Sequence, residues 1–211
     1  KNLILLGKKK LIDFTLDIAF KLGKNFFTFV STDSQKILKH CLNKNMRIEY
    51  KRPKFLSGDS SNIVDSIFHA LKWLNKKKNY KPDAILLLQP TSPFRDIKQI
   101  KKAINEFKKN KYDSMVGIIP VINHPYECVQ IQKKGWTYLS KPQKNKIRRQ
   151  DYEKNFYFID GGFYLIKTEF LFKYKSLVVE NKSFLFKFSD KYSIDIDDYS
   201  DLKVAKSLLI K

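Results

Sequence analysis

An α/β fold built on a mostly parallel, doubly wound sheet is predicted for this 211-residue chain, and three observations predict it. Residues 84–88 (AILLL) are apolar at every position, too uniform for a strand with one wet face and too few to cross a membrane. They read as a central parallel strand buried on both sides. The run stops in Gln89-Pro90-Thr91-Ser92-Pro93 and is followed by helical spacing at Ile97, Ile100, Ala103, Ile104 and Phe107, so strand, turn and helix succeed one another as in a βαβ unit. Strand-like and helix-like patterns alternate elsewhere too, with no repeats and no Gly/Ser linker, which is the pattern of layered α/β domains.

Taken in order, Leu11, Phe14, Thr15, Ile18, Ala19 and Leu22 form one helical stripe stopped by Gly23. Residues 25–31 (NFFTFVS) read as a buried strand, and 34–42 resume helical spacing. Residues 47–50 form a short extended piece, and 51–59 form a loop containing Pro53 and Gly58. Either Ser60 or Ser61 then caps a helix with Ile63, Val64, Ile67, Ala70, Leu71 and Leu74 on its inner face. In the next unit, either Thr91 or Ser92 caps the helix and Pro93 suits its first turn. Residues 114–120 (SMVGIIP) are again strand-like. From Val121 the character changes: 127–132 and 136–139 flank Lys133-Lys134-Gly135 as a hairpin, 140–155 is polar and basic, and 156–166 is an aromatic strand. Residues 121–166 together read as a β-rich insertion into the single domain spanning 1–211. A strand at 184–188, an acidic turn and a closing helix with Leu202, Ala205, Leu208 and Leu209 complete the chain.

Composition narrows the function classes. No apolar run approaches the roughly 20 residues of a membrane helix, and no secretory signal pattern is present, so a soluble protein is expected. Cys41 and Cys128 form no CxxC and have no histidine at metal spacing, which suits a reducing cytoplasm and argues against zinc. The net charge of +21 invites a nucleic-acid reading. However, only Arg47, Arg52, Arg95, Arg148 and Arg149 among the 42 basic residues are arginine, whereas base and phosphate recognition favours the bidentate arginine fork. A nucleic-acid partner is not expected, and attraction of anionic substrates is the better use of this field.

Two stretches carry candidate chemistry. In open α/β sheets the carboxyl ends of strands line the ligand crevice, which makes 89–95 the first candidate site, against the alternative of an ordinary βα turn. In Asp195-Ile196-Asp197, an extended backbone would put both carboxylates on one face, where oxygen donors suit a hard divalent cation. Spacing alone leaves both a metal pair and two solvated carboxylates open. Asp198 and Asp201 sit where a helix starts and read as capping groups. Three histidines (His40, His69, His124) suggest no nucleophilic triad, and His69, between Ile67 and Ala70, reads as structural.

The letters say more than the pattern. LLLQPTSPFR, at 86–95, resembles the LLQPTSPLR block of the cytidylyltransferases that activate sialic acids and related nine-carbon acidic sugars. Lys1-Asn2 followed by GKKKLIDFTLDIA, VSTDS at 30–34, RPKFLSGDSS at 52–61, RRQD at 148–151, GGFYL at 161–165 and SIDID at 193–197 match in the same order. The resemblance implies a Rossmann-like nucleotide-diphospho-sugar transferase fold, a homodimer joined through the inserted subdomain, and transfer of CMP from CTP to the anomeric hydroxyl of an acidic nine-carbon sugar with release of pyrophosphate. It implies Mg²⁺ at Asp195 and Asp197. It places Lys1 and Asn2 against CTP, and Ser60 or Ser61, Gln89, Thr91, Ser92 and Asp160 around nucleotide and sugar. Arg148, Arg149 and Gln150 match a basic element in which one arginine pairs with a carboxylate or phosphate, the alternative being a solvated loop. Arg95 is a further binding candidate, the alternative being a surface residue at a helix start. The family's opening strand and Gly-rich loop are expected before residue 1. Where the family often reads NGAIY this chain has Asp160-Gly161-Gly162-Phe163-Tyr164, exchanging an amide donor for a carboxylate. The relative acting on the eight-carbon 3-deoxy-manno-octulosonate has QGDEP after its central strand, so Gln89–Pro93 counts against that alternative. A basic nucleic-acid-binding module and an inactive truncated homologue are the readings of another class.

Overall fold

The computed structural model describes residues 1–46, 49–141, 148–152, 155–189 and 194–209, apart from the side chain of Arg149. Its main sheet has four strands: β3 (Ala84–Leu87), β4 (Ser114–Pro120), β7 (Tyr157–Lys167) and β8 (Phe184–Lys187), in the order β3-β7-β4-β8. β4 and β8 pair in parallel, and β7 runs antiparallel to both β3 and β4. Three of the four strands therefore point one way, with β7 reversed between them. β3 stands at the edge of the described sheet rather than at its centre, and the strand that closes the expected insertion belongs to the main sheet.

Helices cover both faces. Ile18 of α1 (Leu11–Leu22) and Ile100, Ala103, Ile104 and Phe107 of α4 (Ile97–Lys109) pack on one side with Met115, Phe163, Leu165 and Phe186. Val64 of α3 (Ile63–Lys78) and Phe170 and Leu171 of α5 (Thr168–Tyr174) pack on the other with Ile166. Successive residues of β3 alternate between the two clusters, Ala84 and Leu86 against the first and Ile85 against the second. This two-sided packing is why the strand is apolar at every position.

α2 (Gln35–Leu42) begins at Ser34, whose hydroxyl accepts from the Ile37 amide. The caps of α3 and α4 lie further along than the sequence suggests, by one residue for α3 and by four for α4. Asn62 rather than Ser60 or Ser61 accepts from the Val64 amide at 2.8 Å, and Asp96 rather than Thr91 or Ser92 accepts from the Lys98 amide at 2.8 Å. Both replacements place a short side-chain acceptor at the residue that turns the chain into the helix, which is the geometry capping requires. The expected strand 25–31 joins no ladder among the described residues. Its aromatic side chains pack instead, Phe29 lying 5.0 Å from Tyr50 between ring centroids. Of the extended piece at 47–50, residues 47–48 lie outside the described residues, as do 142–147 and 153–154 of the basic arm.

Two small sheets flank this core. β1 (Leu5–Leu6) and β2 (Lys9–Lys10) form an antiparallel pair around Gly7, whose φ of +63° suits glycine. β5 (Val129–Ile131) and β6 (Trp136–Tyr138) form the expected hairpin. The closing helix α6 (Tyr199–Leu208) packs Leu202 and Ala205 against Leu6, Leu11 and Ile196. The two ends of the described chain thus meet beside the end of β3.

Candidate active site

The site is assembled where β3 stops. Opposite Gly117 the ladder between β4 and β7 breaks register: Val116 pairs with Tyr164, yet Ile118 pairs with Ile159. β7 therefore carries extra residues at 160–163, a bulge of the kind that re-aims side chains at binding sites. Gly161, at its crest, has φ +70°. A methyl built there would stand 3.2 Å from Gln89 Oε1, 3.9 Å from Asp195 Oδ2 and 4.0 Å from the Tyr164 hydroxyl. Gln89, Asp195 and Tyr164 thus converge around a backbone position bare of side chain. Asp160 Oδ1 accepts from the Gly162 amide at 2.9 Å, closing the bulge on itself. Burial, and then the nearby carboxylates of Asp160 and Asp195, push the Tyr164 phenol above its usual range.

Asp195 and Asp197 are exposed on either side of Ile196, which is 2% exposed. The sequence expectation of an extended stretch presenting both carboxylates together fits this in–out alternation. The Ile196 amide donates to the Thr91 carbonyl at 2.9 Å, fixing the acidic stretch to the loop that carries Gln89. Asp201 Oδ2 accepts from the amides of Asp197 (2.8 Å) and Asp198 (3.0 Å), while Asp198 Oδ1 accepts from the Asp201 amide at 3.0 Å. This reciprocal box is the capping role read for both residues. The Ser200 hydroxyl, and then the Asp201 amide, hold the Asp198 carboxyl below its usual range.

Lys1 donates to Asp197 Oδ1 at 2.8 Å. Asn2 is tied down through its backbone, its carbonyl accepting from the Ile12 amide at 3.0 Å, and Ile4 accepts from Leu11 at 2.9 Å. Two of the amides left over at the start of α1 are satisfied in this way. Among the described residues, Asn2 Oδ1 and Ser92 Oγ are buried without a hydrogen-bond partner. The sequence singles out both residues, and a buried polar atom without a partner is the kind of group that a ligand or water satisfies.

Arg95 is no surface residue. Partly buried, it donates from Nε to the Gly162 carbonyl (2.7 Å), from Nη1 to Thr15 Oγ1 (3.0 Å) and from Nη2 to the Gln89 carbonyl (2.5 Å). Burial lowers its pKa to about 10 against the upward pull of Asp160 and Asp195, so it stays a cation at neutral pH. Ser61 accepts from the Gly58 amide at 3.0 Å and serves to close its own loop, while Ser60 is exposed. Arg148, just before a short 3-10 turn at Arg149–Asp151, and Gln150 within it are exposed. Thr15, Gly161 and Tyr164 were not chosen from the sequence, since only the fold brings them to Gln89 and Arg95.

Residues 1–208 match the sequence profile of a family described as Cytidylyltransferase. The chain belongs to that family. An N-acylneuraminate cytidylyltransferase of Streptococcus agalactiae serotype III (strain NEM316) is 26% identical to this family member over 203 residues, covering 95% of the chain and 47% of the relative. The chain therefore spans about half the length of that protein. A CMP-N,N'-diacetyllegionaminic acid synthase of Legionella pneumophila (strain Philadelphia 1) is 29% identical over 210 residues, covering 99% of the chain and 89% of the relative. Among solved structures, a CMP:2-keto-3-deoxy-manno-octonic acid synthetase complexed with CTP superposes with a TM-score of 0.67 at 11% identity, over 100% of this chain and 91% of that one. A 4-diphosphocytidyl-2C-methyl-D-erythritol synthase from Anaerococcus prevotii also reaches 0.67, at 17% identity over 99% and 89% of the two chains. At such identities these two establish the shared α/β fold and no more.

Proposed function

We propose that this cytidylyltransferase-family chain transfers CMP from CTP to a sialic-acid-type nine-carbon acidic sugar. The observation that carries the reading is the seat of Asp195 and Asp197, exposed on either side of buried Ile196 and hydrogen-bonded through it to the loop bearing Gln89. The names of the sialic and legionaminic relatives support the sugar class. In the reaction the anomeric hydroxyl attacks the α-phosphorus of CTP and gives up its proton to water, a new P–O bond forms, and the bond to the bridging oxygen breaks to release pyrophosphate.

The donor set suits Mg²⁺. Asp195 and Asp197 offer hard carboxylate oxygens, and the ammonium of Lys1 beside Asp197 marks that face as one that receives a cation. No group of three His, Cys, Asp or Glu side chains converges among the described residues, so a cation here would complete its shell with substrate oxygens and water. When bound, the metal would neutralise charge on the triphosphate. Lys1 and Asn2 contact the nucleotide, and Ser60 or Ser61 belongs to the pocket around nucleotide and sugar. Gln89, Thr91, Ser92 and Asp160 line the pocket around nucleotide and sugar, and Arg148 or Arg149, in the element that also carries Gln150, pairs with a carboxylate or phosphate. A cytoplasmic homodimer contacting through the β5–β6 hairpin completes the reading.

The test is pyrophosphate release with CTP, Mg²⁺ and a panel of nine- and eight-carbon acidic sugars, beside Asp197→Asn. Release with a nine-carbon sugar, lost by at least about 100-fold in the variant, is expected for a removed metal ligand. Release confined to the eight-carbon sugar overturns the substrate class, and full activity in the variant overturns the metal site.

A further inference from the structure

We propose that Arg95 is the positioning residue of this site, holding the Gln89 loop, α1 and the β7 bulge in one geometry without touching substrate. The proposal rests on the functional reading above for its kinetic consequence, though not for its structural one. The guanidinium reaches three separate elements: the Gln89 carbonyl after β3, the Gly162 carbonyl in the bulge, and Thr15 Oγ1 on α1. Gln89 and Gly162 are the backbone anchors on either side of the point where Gln89 Oε1 lies against Gly161. Their separation is set by the fork between Nε and Nη2, which is planar and rigid. Two residues beyond Gln89, the Thr91 carbonyl receives the Ile196 amide, so the loop that Arg95 holds also seats Asp195 and Asp197. The charge is balanced within the site, because Asp160 and Asp195 both act on Arg95. Lysine could supply the charge, yet its single ammonium cannot span three acceptors in three directions.

The experiment compares Arg95→Lys with Ile104→Val, a core variant on α4 whose apolar side chain, 4% exposed, makes none of the hydrogen bonds of the site. Two readouts separate positioning from general stability. The first is amide hydrogen exchange at Ile196, which is expected to accelerate in Arg95→Lys and not in Ile104→Val. The second is a kinetic cycle with Gln89→Ala. Arg95→Lys alone should lower kcat/KM by about 10- to 100-fold, the cost of a small misplacement. In the Gln89→Ala background the same change should cost much less, because the misplaced group is already gone. Should Arg95→Lys fail to fold, Thr15→Val removes one acceptor while keeping shape and takes its place in both arms. Unchanged exchange at Ile196, or additive kinetics in the cycle, overturns the proposal. A wild-type protein that releases no pyrophosphate with any sugar would sink the functional reading, and the exchange comparison alone would then decide the positioning role.

Discussion

Asp13 shows how a single residue can organise a helix start without being legible as important. Its side chain is nearly inaccessible at 8%, and Oδ1 accepts from His40 Nε2 at 2.7 Å while Oδ2 accepts from the Lys10 amide at 3.1 Å. Lys10 Nζ also lies 3.2 Å from His40 Nδ1, which ties the imidazole to the same helix start. Burial pushes the Asp13 carboxyl up, but the hydrogen bonds from His40 and the Lys10 amide, with the charges of His40 and Lys44, outweigh it and hold the group below its usual 3.8. A depressed folded-state pKa contributes stability that is present above the unfolded value and lost as pH falls through the folded one. Asp13→Asn is therefore expected to lose about 1–3 kcal/mol at pH 7, the worth of a charge-assisted, partly buried hydrogen-bond pair. The deficit should shrink below pH 3.8. Urea unfolding at stepped pH measures this, and a constant deficit down to acid would assign the effect to packing. Nothing in the letters marks Asp13, because its partner His40 lies 27 residues away.

At the scale of elements, the sequence was most legible where burial acts on a whole strand or helix. The apolar run before Gln89, the stripe ending at Gly23 and the SMVGIIP strand all lie where their patterns put them, since each must hide its face. Pairing was not legible, because it depends on partners far along the chain. β7 reads locally as part of an insertion, yet it fills the middle of the main sheet. Residues 25–31 have strand-like letters without a ladder, their aromatic side chains being used in the Phe29–Tyr50–Trp73 cluster. The bulge at 160–163 was likewise hidden, and Gly117 lies where the ladder opposite it breaks register. A methyl at Gly117 would meet Phe188 Cε2 at 2.8 Å and Phe163 Cβ at 3.2 Å. Gly117→Ala is expected to destabilise by about 1–3 kcal/mol through overpacking. The displaced ring of Phe188 and backbone at Phe163 should also disturb the adjoining Gly162 and Asp160. Thermal denaturation checks the first effect and amide shifts at Gly161 and Gly162 the second; an unshifted bulge would separate Gly117 from the site.

For the whole molecule, the candidate site was legible as motifs and illegible as geometry. QPTSP and DID stand more than 100 residues apart, and what unites them is one hydrogen bond from Ile196 to Thr91 over a shared apolar cluster. No helix among the described residues is long and apolar enough to cross a membrane. The remaining feature at this scale is the β5–β6 hairpin, all six of whose strand residues are exposed, with Ile131 77%, Trp136 55% and neighbouring Leu139 69% accessible. A two-stranded hairpin is marginal by itself, and clustered exposed apolar side chains mark a contact surface. The proposed homodimer supplies its occupant, and burying these side chains against a second copy would stabilise both hairpins at once. Sedimentation at micromolar concentration is expected to give a dimer. Ile131→Glu combined with Trp136→Glu should shift it to monomer while leaving the packing of the core intact, because neither residue belongs to a buried cluster among the described residues. A wild-type chain that stays monomeric at every concentration would remove the dimer, and a double variant that stays dimeric would move the contact off the hairpin.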